Sequence, residues 1–206
     1  MRMSEKRLME NCMKNDTGIL GEAELKNEIK SGASGGYFFY GDEDYLKSFY
    51  AAELVKSVAD DESGFGEFNH IIINTDTFDG AALENALASL PLMSERKIVE
   101  MRSPDISSWR EKEKNEFTDI ISRLERYPHT VFLVTVNRDC FDEGNPPKRP
   151  SAMFKTIAKY LKPVAFELQG ESKLARWIER RAAKSGVSVS PDVSSRVIRM
   201  CGRDMR

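Results

Sequence analysis

The apolar residues of the chain form short runs that predict strands alternating with helices. Each of five runs is followed within two residues by Gly, Asn or Ser, which are typical of turns. Strands that are apolar on both faces are typical of parallel sheets covered by helices. We therefore expect an α/β fold with a five-stranded parallel sheet and helices on both faces. The predicted strands comprise residues 37–40, 70–73, 97–101, 130–136 and 164–168.

Between the predicted strands, apolar residues recur at the three- and four-residue spacing of helices. The first such segment carries Leu46, Tyr50, Leu54 and Val58, and similar segments follow the next three strands. In open α/β sheets, ligands bind beyond the carboxyl ends of the strands. The segments that we expect at this functional edge are residues 41–48, 74, 102–104 and 137.

The pattern changes after the fifth strand, where helical spacing replaces strands. One helix is predicted over residues 172–185, and another begins after Ser190, an N-cap residue followed by Pro191 at the first helical position. A disordered arm is one interpretation of the residues that precede the first strand and its flanking segment. We divide the chain into an N-terminal extension of residues 1–20, a core domain of residues 21–169 and the start of a helical domain in residues 170–206.

The composition indicates a globular protein of the cytoplasm. Of 206 residues, 40% are hydrophobic and 31% are charged, a balance that excludes a disordered chain. No apolar run approaches the ~18 residues that span a bilayer, and the N-terminus lacks the apolar region of a secretory signal, so we expect no membrane partner. Cys12, Cys140 and Cys201 are too few and too widely spaced for a disulfide scaffold or a cysteine zinc site.

The net charge of −2 conceals an uneven distribution. Residues 171–206 carry a charge of +5, and the rest of the chain carries −7. Within the basic segment, Lys173, Arg176, Arg180 and Lys184 lie at the spacing of one helix face. Such a stripe has two interpretations, a surface that tracks DNA phosphates or an ordinary solvated helix face.

The segment after the first strand has part of the pattern of a phosphate-binding P-loop, GxxxxGK[ST]. Gly41, Lys47 and Ser48 occupy the required positions, but Leu46 replaces the second glycine and residues 42–44 are all acidic. A leucine adds bulk where phosphates must approach the backbone, and like charges ~4 Å apart repel by about 4 kcal/mol near a protein surface. We therefore expect this degenerate P-loop to bind no nucleotide.

Other catalytic patterns are weak. No predicted strand ends in the Asp-Glu pair with which ATPases hold Mg²⁺, and Asn137 after the fourth strand fits either a polar sensor or a loop cap. His70 and His129 each stand beside a strand start without metal-binding spacing. The residues predict no catalytic group, no metal and no cofactor.

Three stretches of the chain resemble the delta subunit of the bacterial DNA polymerase III clamp loader. Residues 32–54, GASGGYFFYGDEDYLKSFYAAEL, are similar to the strand and degenerate loop with which that family begins. Residues 90–99, LPLMSERKIV, look like its Leu-Pro-Phe-Phe-Ser-Asp-Arg-Arg-Leu-Val run. Residues 174–205 match the start of its helical lid, ending in Cys-Gly-Arg-Asp-Met. Order and spacing agree over about residues 22–206.

The resemblance implies a AAA+ type core with the strand order of P-loop ATPases, followed by a partial small α-helical lid. It also implies a non-catalytic subunit, part of a nucleotidyltransferase holoenzyme, that binds and opens the β sliding clamp in DNA replication without hydrolysing ATP. In the family, two bulky residues before the third strand enter a pocket of the clamp. Leu92 and Met93 match them here, with aliphatic and thioether side chains in place of aromatic ones.

The family's third domain, a collar, has no counterpart in this sequence. Because the collar joins delta to the gamma/tau and delta prime subunits, we expect a monomeric, truncated chain that does not assemble with them. Two alternative functions stay open. One is that of an active AAA+ ATPase with an unusual loop. The other is that of a DNA-binding module that uses its basic segment, a role compatible with clamp loading on primed DNA.

Overall fold

The structure is a computed structural model that describes residues 18–59, 64, 66–74 and 77–202. Most of the predicted N-terminal extension and the last residues of the lid motif lie outside this range. No helix within the described residues is long and apolar enough to cross a bilayer.

The predicted five-stranded parallel sheet is confirmed, and its strand order is β2-β3-β4-β1-β7. This order brings the carboxyl ends of β1, β3 and β4 together at one edge, as the sequence predicted for the functional segments. The strands of the sheet are β1 (Gly36–Tyr40), β2 (His70–Asn74), β3 (Lys97–Arg102), β4 (Thr130–Thr135) and β7 (Lys162–Ala165).

Helices cover both faces of the sheet, which explains why β1, an interior strand between β4 and β7, is apolar throughout. In β1, Tyr37 and Phe39 face one buried cluster, and Phe38 and Tyr40 face the other. The first cluster includes residues of α1, α2, α6 and α7, and the second includes residues of α3, α4 and α5. The helices are α1 (Glu22–Ser31), α2 (Asp44–Ala59), α3 (Gly80–Ala88), α4 (Glu111–Ser122), α5 (Ala152–Ile157), α6 (Glu171–Lys184) and α7 (Pro191–Cys201).

Two elements were missed by the sequence pattern because little of their surface is buried. Helix α1 buries only Leu25 completely, so it has no regular apolar stripe. A hairpin within the polar loop after β4 consists of two-residue strands without a fully buried side chain. These strands are β5 (Gly144–Asn145) and β6 (Arg149–Pro150).

The predicted boundaries of the fifth strand were wrong by two to three residues. The strand pairs with β1 from Lys162 onward, before the apolar run begins, and the last bond runs from the Phe166 N–H to the Tyr40 carbonyl, at 2.9 Å. Glu167 and Leu168, which were predicted to continue the strand, are exposed. Pairing with β1 therefore determines the start of this strand more than its own hydrophobicity does.

Candidate functional site

The degenerate P-loop is shorter than a phosphate-binding loop because α2 begins early, at Asp44. Gly41 has φ +105°, and a Cβ there would lie 2.5 Å from the Phe166 carbonyl oxygen, so this position requires glycine. The Glu43 N–H donates to the same carbonyl at 2.9 Å. The loop backbone is thus hydrogen-bonded to the residue that follows β7, and the Glu43 N–H points toward that residue.

Lys47, at the P-loop lysine position, is directed into the protein and is only 1% exposed. Its ammonium donates to the carbonyls of Gly41 at 2.7 Å and Val136 at 2.8 Å, and it lies 2.8 Å from the Asp44 carboxylate. The lysine therefore joins the carboxyl ends of β1 and β4 and the start of α2. A P-loop lysine would instead reach for the β- and γ-phosphates of a nucleotide.

The other two residues of the degenerate P-loop point in different directions. Leu46 belongs to the core cluster on the α2 face of the sheet, so its side chain lies inside the protein. Ser48 is exposed and lines a cleft of about 990 Å³ beside α2. The structure thus joins Gly41 and Lys47 by a hydrogen bond and places Lys47 and Ser48 on the lining of one cleft, whereas it separates Leu46 from them.

The same cleft contains a buried carboxylate from β3. Glu100 is 4% exposed, and its Oε2 atom lies 2.7 Å from His70 Nε2 and 2.8 Å from an Arg102 nitrogen. Burial alone would raise the pKa of the Glu100 carboxyl, but hydrogen bonds from His70 and Arg102 outweigh it and hold that pKa below its ordinary value. His70, which has no metal-binding spacing, is therefore part of a hydrogen-bonded cluster with Glu100 and Arg102 on the sheet.

The carboxyl ends of β3 and β4 carry no acidic pair. Arg102 and Ser103 follow Glu100 and Met101 at the end of β3, and the Ser103 N–H donates to the Thr135 carbonyl at 2.7 Å. Asn137 lines the cleft and its side chain makes no helix cap. Across the described residues, no group of three His, Cys, Asp or Glu side chains is placed to hold a metal ion.

Leu92 and Met93 lie on an exposed turn between α3 and β3, which we call the tip (residues 90–96). The exposed fractions are 47% for Leu92, 73% for Met93 and 79% for Leu90. Met93 adopts φ +51°, a left-handed conformation that a side chain rarely takes. The turn therefore projects its apolar side chains outward instead of folding them under the sheet.

One buried polar residue bonds the tip and another bonds the end of α3 that precedes it, and the sequence pattern predicted neither role. Asn69 is 1% exposed, and its side chain makes two hydrogen bonds with the Leu92 backbone. Asn69 Nδ2 donates to the Leu92 carbonyl at 2.8 Å, and the Leu92 N–H donates to Asn69 Oδ1 at 2.7 Å. Lys97 donates to the Ala86 carbonyl and, at 2.6 Å, to Ser89 Oγ at the end of α3. Burial lowers the pKa of Lys97 to about 8. The sequence signal for each was a polar residue at the start of an apolar strand, with Asn69 directly before β2 and Lys97 as the first residue of β3.

The predicted basic stripe lies on α6. All four of its side chains, Lys173, Arg176, Arg180 and Lys184, are exposed. Trp177, one helical turn from Lys173 and Arg180, borders this stripe and lies edge-on to Tyr45 of α2, at 5.6 Å between ring centroids.

Comparisons with known proteins bear on the family and the fold of the chain. The model of the family "DNA polymerase III, delta subunit" matches residues 37–166. No curated protein sequence matches the chain.

Among solved structures, the chain is similar to the Bacillus subtilis DNA clamp loader delta protein, with a TM-score of 0.60 and 15% identity, over 85% of this chain and 51% of that one. It is also similar to the replication initiator DnaA bound to AMPPCP and single-stranded DNA, with a TM-score of 0.53 and 14% identity, over 88% and 56%. The chain spans about half the length of these proteins. The likeness shows a AAA+-like fold with a helical C-terminal segment.

Proposed function

Because the chain belongs to the DNA polymerase III delta subunit family, we propose that it binds and opens the β sliding clamp during DNA replication. The observation that carries this proposal is the tip, where Leu92 and Met93 are exposed on a turn whose backbone Asn69 holds. Exposed apolar side chains on a fixed turn are typical of protein interaction sites. Leucine and the flexible thioether of methionine fill an apolar pocket on a partner well.

Opening a ring requires more than binding it. A ligand shifts a conformational equilibrium only by the difference between its affinities for the two states. We therefore propose that the tip binds the open clamp more tightly than the closed clamp. A tip that is ordered before binding suits this role, because less of its interaction energy is lost in ordering the turn.

We propose further that the chain does not hydrolyse ATP. Lys47 is engaged by two carbonyls and a carboxylate, the loop is acidic and shortened, and β3 ends in Met101-Arg102 instead of an acidic pair. These features remove the groups that cradle phosphates and hold Mg²⁺.

Calorimetric titration with Mg²⁺ and ATP is expected to give no binding heat. An ATP-hydrolysing AAA+ protein titrated under the same conditions serves as the positive control. Micromolar, Mg²⁺-dependent binding to this chain would contradict the proposal and favour the alternative of an active ATPase.

A second candidate function, contact with primed DNA, is favoured by the four exposed cations on one face of α6. Binding that neutralises phosphates releases counterions, and its affinity falls by about 0.9 log unit per log unit of salt for each contact on duplex DNA.

Replacing Lys173, Arg176, Arg180 and Lys184 together with glutamine is expected to weaken binding to primed DNA and to flatten its salt dependence by up to about 4 log units per log unit of salt. Fluorescence anisotropy between low and moderate salt measures both effects. Lys155→Gln with Lys159→Gln, two exposed lysines of the α5 segment, is the control and is expected to change neither. Binding whose affinity does not vary with salt would exclude this function.

A further inference from the structure

A short 3₁₀-helix, Gly66–Asn69, lies directly beside the tip. Its last residue, Asn69, is the one that pairs with the Leu92 backbone, and β2 begins at the next residue. The preceding residue, Phe68, is 67% exposed. A single exposed apolar residue is ordinary, so Phe68 gains significance only as part of a larger exposed apolar patch.

Phe68 is close enough to the tip to share one surface with it. Consecutive Cα atoms lie ~3.8 Å apart, and Asn69 contacts Leu92 through hydrogen bonds shorter than 3 Å. Asn69 therefore brings the backbone next to Phe68 alongside the tip, where three further apolar residues, Leu90, Leu92 and Met93, are also exposed. Exposed apolar residues that stand singly are normal, but a group of this size is typical of an interaction site.

We propose that the 3₁₀-helix is the second half of the clamp-binding surface. In this arrangement Phe68 contacts the clamp beside Leu92 and Met93, and Asn69 is a positioning residue that holds the turn. The inference rests on the proposed function, since it assigns the β sliding clamp as the occupant of this surface. The 3₁₀-helix is continuous with the tip, because Asn69, its last residue, is hydrogen-bonded to the Leu92 backbone.

Phe68 and Asn69 have different roles on this surface because their side chains differ in chemistry. Interface centres are enriched in aromatic residues, and the tip itself carries none between Leu90 and Arg96. Phe68 supplies a large apolar area with only two side-chain torsions to order. Asn69 satisfies both the N–H and the carbonyl of Leu92, so this residue's backbone needs no new partner when its side chain enters a pocket.

The test is the binding of purified chain to the immobilised β sliding clamp encoded by the same genome, measured by surface plasmon resonance. Phe68→Ala is expected to raise the dissociation constant about tenfold, mainly through faster dissociation. Phe49→Ala is the matched control, because Phe49 is 44% exposed on α2, and it is expected to change nothing.

The role of Asn69 is tested with two variants in the same assay. Asn69→Ala loses both bonds to Leu92 and is expected to weaken clamp binding, whereas Asn69→Gln keeps an amide donor and acceptor and is expected to restore part of it. Melting temperatures of both variants are measured, since a purely structural role would make affinity follow stability. Affinity that follows the melting temperature in both variants would overturn the positioning role.

The two levels of the proposal fail differently. If the wild-type chain does not bind the clamp, the proposed function and this inference both fall. If the wild type binds, Leu92→Ala with Met93→Ala abolishes binding, and Phe68→Ala matches the wild type, only this inference falls. Sedimentation that shows a dimer disrupted by Phe68→Ala would assign the surface to a second copy of the chain and also overturn it.

Discussion

Replacing Leu92 and Met93 together with alanine is expected to abolish binding to the sliding clamp without unfolding the domain. Truncating a hot-spot residue costs about 2 kcal/mol or more, so the pair should weaken binding by well over 100-fold. The fold should persist because both side chains are exposed and neither belongs to the buried core, and substitutions of exposed residues change stability by about 0.5 kcal/mol or less. Alanine also has a Cβ, as methionine does, so the left-handed backbone at Met93 gains no new strain. Clamp binding by surface plasmon resonance and thermal unfolding measure the two halves.

The chain offers a matched control for this double variant. Leu168 is 47% exposed and Met200 is 77% exposed, nearly the values of Leu92 and Met93, and both lie outside the tip. Leu168→Ala with Met200→Ala removes the same atoms and should leave clamp binding unchanged. If the tip variant binds the clamp as well as the wild type, the assignment of Leu92 and Met93 is wrong.

The strands of the central sheet could be predicted because burial on both faces leaves a continuous apolar run. Thr130–Thr135 is fully apolar between its two threonines, and the structure places it between two neighbours. Helix α1 could not be predicted in this way, since its one fully buried residue gives no periodicity. The start of β7 depends on Lys162 pairing with Tyr37, a contact across the sheet that no local pattern records.

Some residues of the candidate sites could also be predicted from local sequence, and others could not. Leu92 and Met93 could be located from their place before β3, and the acidic loop from its departures from the P-loop pattern. The roles of Asn69 and Lys47 could not, because their partners lie 23 and 89 residues away in sequence. Polar residues buried by distant contacts are the part of a site that spacing alone does not reveal.

Replacing Lys47 is expected to have a large effect on stability. For a P-loop lysine, the main effect would be on nucleotide binding. In a nucleotide-binding loop, replacing the lysine removes phosphate contacts and affects ligand binding first. Here Lys47→Met should lower the free energy of unfolding by about 3 kcal/mol, since it leaves the Gly41 and Val136 carbonyls without their donor and Asp44 without its cation. For a chain of this size, that corresponds to a fall of about 6–12 °C in melting temperature.

Denaturant unfolding of Lys47→Met and Lys56→Met measures this difference within one helix. Lys56 is exposed on α2, so its replacement should change the free energy of unfolding by about 0.5 kcal/mol or less. Both variants should show the same lack of response to Mg²⁺ and ATP as the wild type. If the Lys47→Met protein is as stable as the wild type, Lys47 does not have the structural role. If ATP stabilises the wild type but not Lys47→Met, Lys47 binds nucleotide. The expected pattern, lost stability with no change in nucleotide response, follows from an ammonium group whose neighbours are carbonyl and carboxylate oxygens of its own chain.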